Sequence, residues 1–319
     1  MNSSFEGPIL IKCDTSYDWK IECVKFVLQY LFLVPGLILN TLILKTIWLK
    51  YPKIYRPYSF FVIYSLDLMV NIVLILTGGL MARLFIYLTP LCELLSEYFS
   101  TPLIGFKLVM ILVHHSIICK SIVQTLIVLN RMTCVLFPVK HDFIWRKDIL
   151  KWLLPTVLVF PLTVDWNIAI SRVYMRSTYG GFWVDYIKTV SWAGQSKFQL
   201  AFILFALTAT VICTLITLSR LGKLQQRAKN LEKSISKATL IISIGFSCTA
   251  AFQIYYGFFF VYTTGSAPMF GLNFLSVDFL TVGSPIVILC ASSSLRKHVI
   301  GREKHSQISS IMKARSRTN

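Results

Sequence analysis

The sequence predicts an all-α membrane protein, a bundle of seven transmembrane helices with an extracellular N-terminus and a cytoplasmic C-terminus. Three observations predict it. Seven apolar stretches each reach the roughly 20 residues that a hydrocarbon core of about 30 Å asks of a helix. Hydrophobic residues make up 55% of the chain and charged ones 14%, with a mean hydropathy of +0.66. The 32 Lys and Arg, against 14 Asp and Glu, crowd onto alternate connections between the stretches.

The stretches are Val24–Trp48, Pro57–Ala82, Ile104–Val135, Leu150–Ile170, Phe198–Leu218, Ala238–Thr263 and Leu272–Leu295. No water inside the hydrocarbon core can satisfy a stray backbone amide, so runs of this length are expected as helices. Residues 1–23 form a polar, acidic extracellular segment, residues 24–295 the bundle and residues 296–319 a basic cytoplasmic tail. The leading segment lacks the parts of a cleavable signal, so the first stretch is expected to serve as its own insertion signal. Asn2, in Asn2-Ser3-Ser4, is a candidate glycosylation acceptor.

Charge sets the orientation. Lys45, Lys50, Lys53 and Arg56 flank the connection after the first stretch, and Arg131, Lys140, Arg146, Lys147 and Lys151 flank or lie in the connection after the third. Arg220, Lys223, Arg227, Lys229, Lys233 and Lys237 follow the fifth, and the tail is basic again. The opposite connections hold Glu6, Asp14, Asp18, Glu22, Glu93, Glu97 and Asp185 among fewer cations, Arg83 included. The positive-inside rule therefore places the N-terminus outside. A pI near 9.6 reports topology and attraction to an anionic inner leaflet rather than nucleic-acid binding. The segment Arg220–Lys237 has a helical composition suited to an acidic partner, and Ser306, Ser309, Ser310, Ser316 and Thr318 are phosphorylatable positions in the tail.

Short connections leave no room for a soluble catalytic domain, so neither enzymatic activity nor a cofactor is expected. No His-Glu-x-x-His or zinc spacing occurs, and Leu272–Leu295 has no lysine to hold retinal. A ligand-gated channel or small-solute transporter is the alternative to a receptor, though transporters favour internal repeats and broken helices. Of eight cysteines, Cys13, Cys23 and Cys92 fall on the oxidising side, where Cys92 is expected to pair with Cys13 or Cys23.

Ionisable groups inside a bilayer are costly and mark function or pairing. They are Asp67, Lys120, Asp165 and Asp278. Asp67 lies ten residues beyond Pro57 and Lys120 eleven before Arg131. At about 1.5 Å per residue both sit roughly 15 to 17 Å from the cytoplasmic ends of their helices, a level at which they can pair. A ligand cavity is expected between the outer halves of the third, fifth, sixth and seventh helices. Its candidates by depth are His114 and His115, then Gln253, Tyr255 and Tyr256, then Asn273, Ser276 and Asp278. The two histidines point about 100° apart on a helix and are not expected to share a metal.

The third stretch ends in Asn130-Arg131-Met132, with Pro138 seven residues after the arginine. This resembles the Asp/Glu-Arg-Tyr region of rhodopsin-like receptors, with Asn130 replacing the acid and Met132 the tyrosine. Pro35-Gly36-Leu37-Ile38-Leu39-Asn40, Leu129-Asn130-Arg131-Met132-Thr133 and Ser292-Ser293-Ser294-Leu295-Arg296-Lys297-His298 together resemble nematode serpentine chemoreceptors of the gamma class. That resemblance implies a receptor for a small extracellular molecule, an odorant or pheromone, that activates a heterotrimeric G protein at the plasma membrane of sensory neurons. It implies that Arg131 is the switch arginine, with Asn130 and Pro138 beside it. The sequence departs from the rhodopsin-like pattern at Ser284-Pro285, where asparagine would precede the proline, and at Ile288, where tyrosine would stand. The sixth stretch carries Phe252-Gln253 without a kinking proline.

Overall fold

A computed structural model describes residues 7–14, 17–87, 91–101, 103–178, 181–190, 192–221, 241–255, 258 and 267–301. Among the described residues six helices are long and apolar enough to cross a membrane: Trp19–Lys50, Ser59–Ile86, Ile104–Leu136, Lys147–Ile170, Gln195–Arg220 and Gly271–Ala291. A shorter apolar helix, Ile241–Ile254, stands where the sixth stretch was expected. Asn2, Tyr256, the segment 222–240 and the tail from residue 302 lie outside the described residues.

Boundaries follow from local chemistry. The first helix starts at Trp19, five residues before the apolar run, because the Asp18 carboxylate accepts from the Lys20 N–H at 2.9 Å and satisfies an otherwise orphaned donor. The second span runs past Ala82 to Ile86, so Arg83 sits inside a helix rather than in a connection. The fourth is interrupted at Phe160-Pro161, where a proline without an N–H separates Lys147–Val159 from Leu162–Ile170. The last span ends at Ala291, four residues short of the expected Leu295. There the Ser292 hydroxyl accepts from the Leu295 N–H and opens a separate helix, Ser293–Ile300, which stops at Gly301 with a φ of 77°. That helix buries His298, whose Nδ1 lies 2.5 Å from the Tyr55 hydroxyl and whose ring stacks on Tyr51 at 4.2 Å.

The second span is the most buried of the six. In its most apolar window 67% of residues are buried, against 22% for the first span, which shows its side chains to the surroundings. The third span packs along both the second and the fifth. Ile43, Ile47, Ile63, Tyr64, Val123, Ile127 and Leu150 fill the space where the first four helices meet. Between the first and seventh helices the spacing is set by Gly36: a Cβ there would lie 2.3 Å from a Val282 methyl, so only a bare backbone permits the approach.

The mostly helical chain carries one element that its hydropathy does not announce. Strands β1, Arg172–Thr178, and β2, Gly181–Ile187, form an antiparallel hairpin between the fourth and fifth spans. Val173 and Met175 point inward from β1, the period-two pattern of a half-buried strand. Seven residues of alternation between two long apolar runs are too short to register as hydropathy.

Candidate ligand-binding site

The hairpin is the centre of a cap over one end of the bundle. A disulfide joins Cys13 to Cys92, which opens the short helix Cys92–Phe99, and Cys23 is free and exposed. The leading segment follows the cap: Ile9 N–H donates to the Ser100 carbonyl at 3.0 Å, Asp14 N–H to the Ser177 hydroxyl at 2.8 Å, and the Arg172 guanidinium to the Gly7 carbonyl. Cys92, Phe99, Phe106, Ile168, Val173, Met175 and Phe182 share one apolar cluster, so strand, short helix and span ends bury each other. At Gly181 a Cβ would meet the Ile86 carbonyl, which fixes the hairpin tip against the end of the second span.

A cavity of about 290 Å³ lies between this cap and the first, second, third, fifth, sixth and seventh spans. Its apolar wall comes from Leu74, Ile75, Val109, Met110, Val113 and Ile117, and its hairpin side from Trp183, Val184, Asp185 and Tyr186. Burial pushes the Tyr186 phenol up, so it stays protonated and accepts the Gln195 N–H at 3.0 Å. Of the sequence candidates, His114, Gln253, Asn273 and Asp278 line this cavity together. His115 instead turns to the fourth span, with Nδ1 2.8 Å from Asp165. Tyr255 is not among the lining residues. Ser276 meets Thr249 at 3.3 Å and does not line the cavity.

Sequence reasoning did not place Arg83, Gln195, Gln199 or the hairpin residues at this site. Arg83 and Asp278 form a bidentate ion pair across the cavity wall at 2.7 and 2.5 Å, with the guanidinium 4.5 Å over the Phe274 ring and the Gln29 amide oxygen at 3.4 Å. The apolar run Leu84-Phe85-Ile86-Tyr87 after Arg83 was the available signal that the helix continues. Gln199 Nε2 approaches His114 Nδ1 at 2.5 Å. Gln195 donates its amide nitrogen to Asp165 at 3.3 Å, which links the cavity to the His115 pair.

Deeper in the bundle, Lys120 Nζ lies 2.8 Å from both Asp67 oxygens and 3.3 Å from the Ser284 hydroxyl, so its three donors are all used. Asn71 donates to Asp67 and to Asn40, which itself donates to the Gly36 and Thr281 carbonyls. One polar network thus ties the first, second, third and seventh helices.

At the opposite end from the cap, Arg131 places its guanidinium carbon 3.7 Å over the Phe60 ring. Asn130 donates to the Ser59 hydroxyl at 2.8 Å, so both residues brace the third span against the start of the second. Pro138 is exposed in the turn after the helix ends at Leu136. Among the described residues no group of three or more His, Cys, Asp and Glu gathers to hold a metal.

A capped bundle of membrane helices around a small, mostly apolar cavity with a few convergent polar groups is the architecture of a serpentine receptor. The chain matches the Srg chemoreceptor family over residues 26–299. It is 54% identical to serpentine receptor class gamma-14 of Caenorhabditis elegans, covering 97% of this chain and 94% of that protein. Serpentine receptor class gamma-11 of the same nematode is 44% identical over 92% of this chain and 86% of its own length. Class gamma-13 is 37% identical over 100% and 94%. The chain belongs to the Srg family and is a multi-pass serpentine chemoreceptor.

Proposed function

We propose that this chemoreceptor takes a small extracellular molecule, an odorant or pheromone, into the capped cavity and activates a heterotrimeric G protein at the other end. In this reading the cap faces the exterior of a sensory neuron's plasma membrane, as the acidic side of the charge asymmetry requires. The observation that carries it is the cavity itself, about 290 Å³ and lined from six helices and the hairpin. A molecule of that size touches the third and seventh spans at once, and both continue to the end that holds Arg131 and the Ser293–Ile300 helix. Arg131 rests on Phe60, and its release from that ring exposes a cation to an acidic peptide.

The test is expression in a heterologous cell with a G-protein reporter and an odorant and pheromone panel. An active compound is expected to lose its reporter signal in Arg131→Ala at equal surface level, while its binding is retained. A ligand-evoked current that persists without any G protein overturns the reading in favour of a channel. An N-terminal tag inaccessible on intact cells overturns the orientation.

A further inference from the structure

The charges and amides around the cavity are unequally satisfied. Among the described residues, Arg83 and Asp278 are the charged side chains that line it from the spans, and they neutralise each other. The other lining charges, Arg176, Asp185 and Lys188, belong to the hairpin and its exit: Arg176 and Lys188 are exposed, and the half-buried Asp185 accepts from the Tyr174 hydroxyl and the Tyr186 N–H. Amides behave differently. Gln253 is 6% exposed, lines the cavity from the sixth helix, and makes no hydrogen bond among the described residues. Asn273, on the seventh helix, has a buried amide oxygen without a partner. Gln195, on the fifth, gives its nitrogen to the Asp165 carboxylate, which fixes the amide's orientation and leaves a buried Oε1 unpaired.

Buried polar groups without partners are costly, and Asn273 Oδ1, Gln195 Oε1 and the Nε of Arg83 are three such atoms on residues that line this one cavity, with the Gln253 amide beside them making no hydrogen bond among the described residues. A primary amide offers both a donor and an acceptor, and among the described residues the ions that line the cavity from the spans, Arg83 and Asp278, are already committed to each other, so the remaining lining charges lie on the hairpin side, whereas these amides belong to the fifth, sixth and seventh helices. Burying an unpaired charge against such a wall costs far more than burying a neutral group that hydrogen-bonds to it. We propose that the cavity selects an electrically neutral ligand with a short apolar body and a head that donates and accepts hydrogen bonds, a primary amide or hydroxyl, held by Gln253 and Asn273. This rests on the cavity being the ligand site, and it names the ligand's chemistry.

The test uses full-length receptor purified into nanodiscs and four probes that differ in head group alone: octanamide, 1-octanol, octanoate and octylammonium. Thermal unfolding is followed against probe concentration. Octanamide and 1-octanol are expected to raise the unfolding temperature, octanoate and octylammonium to leave it unchanged. Gln253→Leu is expected to weaken octanamide by about tenfold, the loss of roughly one hydrogen bond, and Gln253→Asn to restore part of it. Asn273→Leu, at a half-buried position, gives a second variant should Gln253→Leu fail to fold.

Stabilisation by a charged probe above the neutral ones, neutral stabilisation undiminished in the leucine variants, or no stabilisation by any probe overturns the proposal. The readout needs no G protein. A receptor that binds neutral probes without signalling therefore refutes the coupling alone, and one that signals to an ion refutes this inference alone.

Discussion

Two ion pairs on the second span are equally buried and differently placed. Lys120 and Asp67 have side chains 3% and 2% exposed, and Arg83 and Asp278 2% and 4%. The first pair borders a gap of about 10 Å³, hardly room for one water, and is locked by Ser284, Asn71 and Asn40. The second borders the 290 Å³ cavity, with an aromatic ring on one face of the guanidinium. Burial alone does not distinguish a structural pair from one beside a binding site. The neighbouring space does: charge next to an open cavity has water or ligand to turn to, and charge in a sealed core has only its partner and the fixed side chains packed around it.

The comparison breaks most sharply at the core pair. Lys120→Met leaves Asp67 charged and unpaired, and is expected to cost about 3 to 5 kcal/mol. Folded yield in detergent, followed by size-exclusion profile, should collapse and be largely recovered in Lys120→Met with Asp67→Leu. Equal stability of the single variant would show that the two sites do not differ. Arg83→Met is expected to cost less, about 1.5 to 3 kcal/mol, the range for hydrogen bonds to charged groups. Water in the cavity then reaches Asp278, and the variant should fold while its response to ligands changes. A loss as large as that of Lys120→Met would make the cavity irrelevant to the energetics. Gly36→Ala is expected to cost about 1 to 3 kcal/mol by pushing Val282 away. Val282 lies between Asp278 and Ser284, so thermal unfolding of this variant combined with each pair variant reports which pair is coupled to the first helix.

Much of this arrangement is legible in the sequence, because length and hydropathy are the main constraints on a membrane helix. Asp67 and Lys120 could be matched by depth, since helical rise converts sequence position into height. Arg83 could not be recognised as buried: a cation at the end of an apolar run reads as a loop anchor until its partner, 195 residues away, is known. His114 and His115 were both placed at cavity level. Rise gives height but not the rotation of a helix about its axis, and rotation is what sends one to the cavity and the other to Asp165. The hairpin was invisible for a related reason, since its inward face is completed only by the short helix and the ends of neighbouring spans.

The Cys13–Cys92 bridge encloses 79 residues of sequence separation, including the whole of the first two spans. It therefore acts on recombinant production as much as on architecture. Chain made in a lysate containing dithiothreitol would insert its helices without this covalent tie, and its ligand screens would report on a cover held by packing and hydrogen bonds alone.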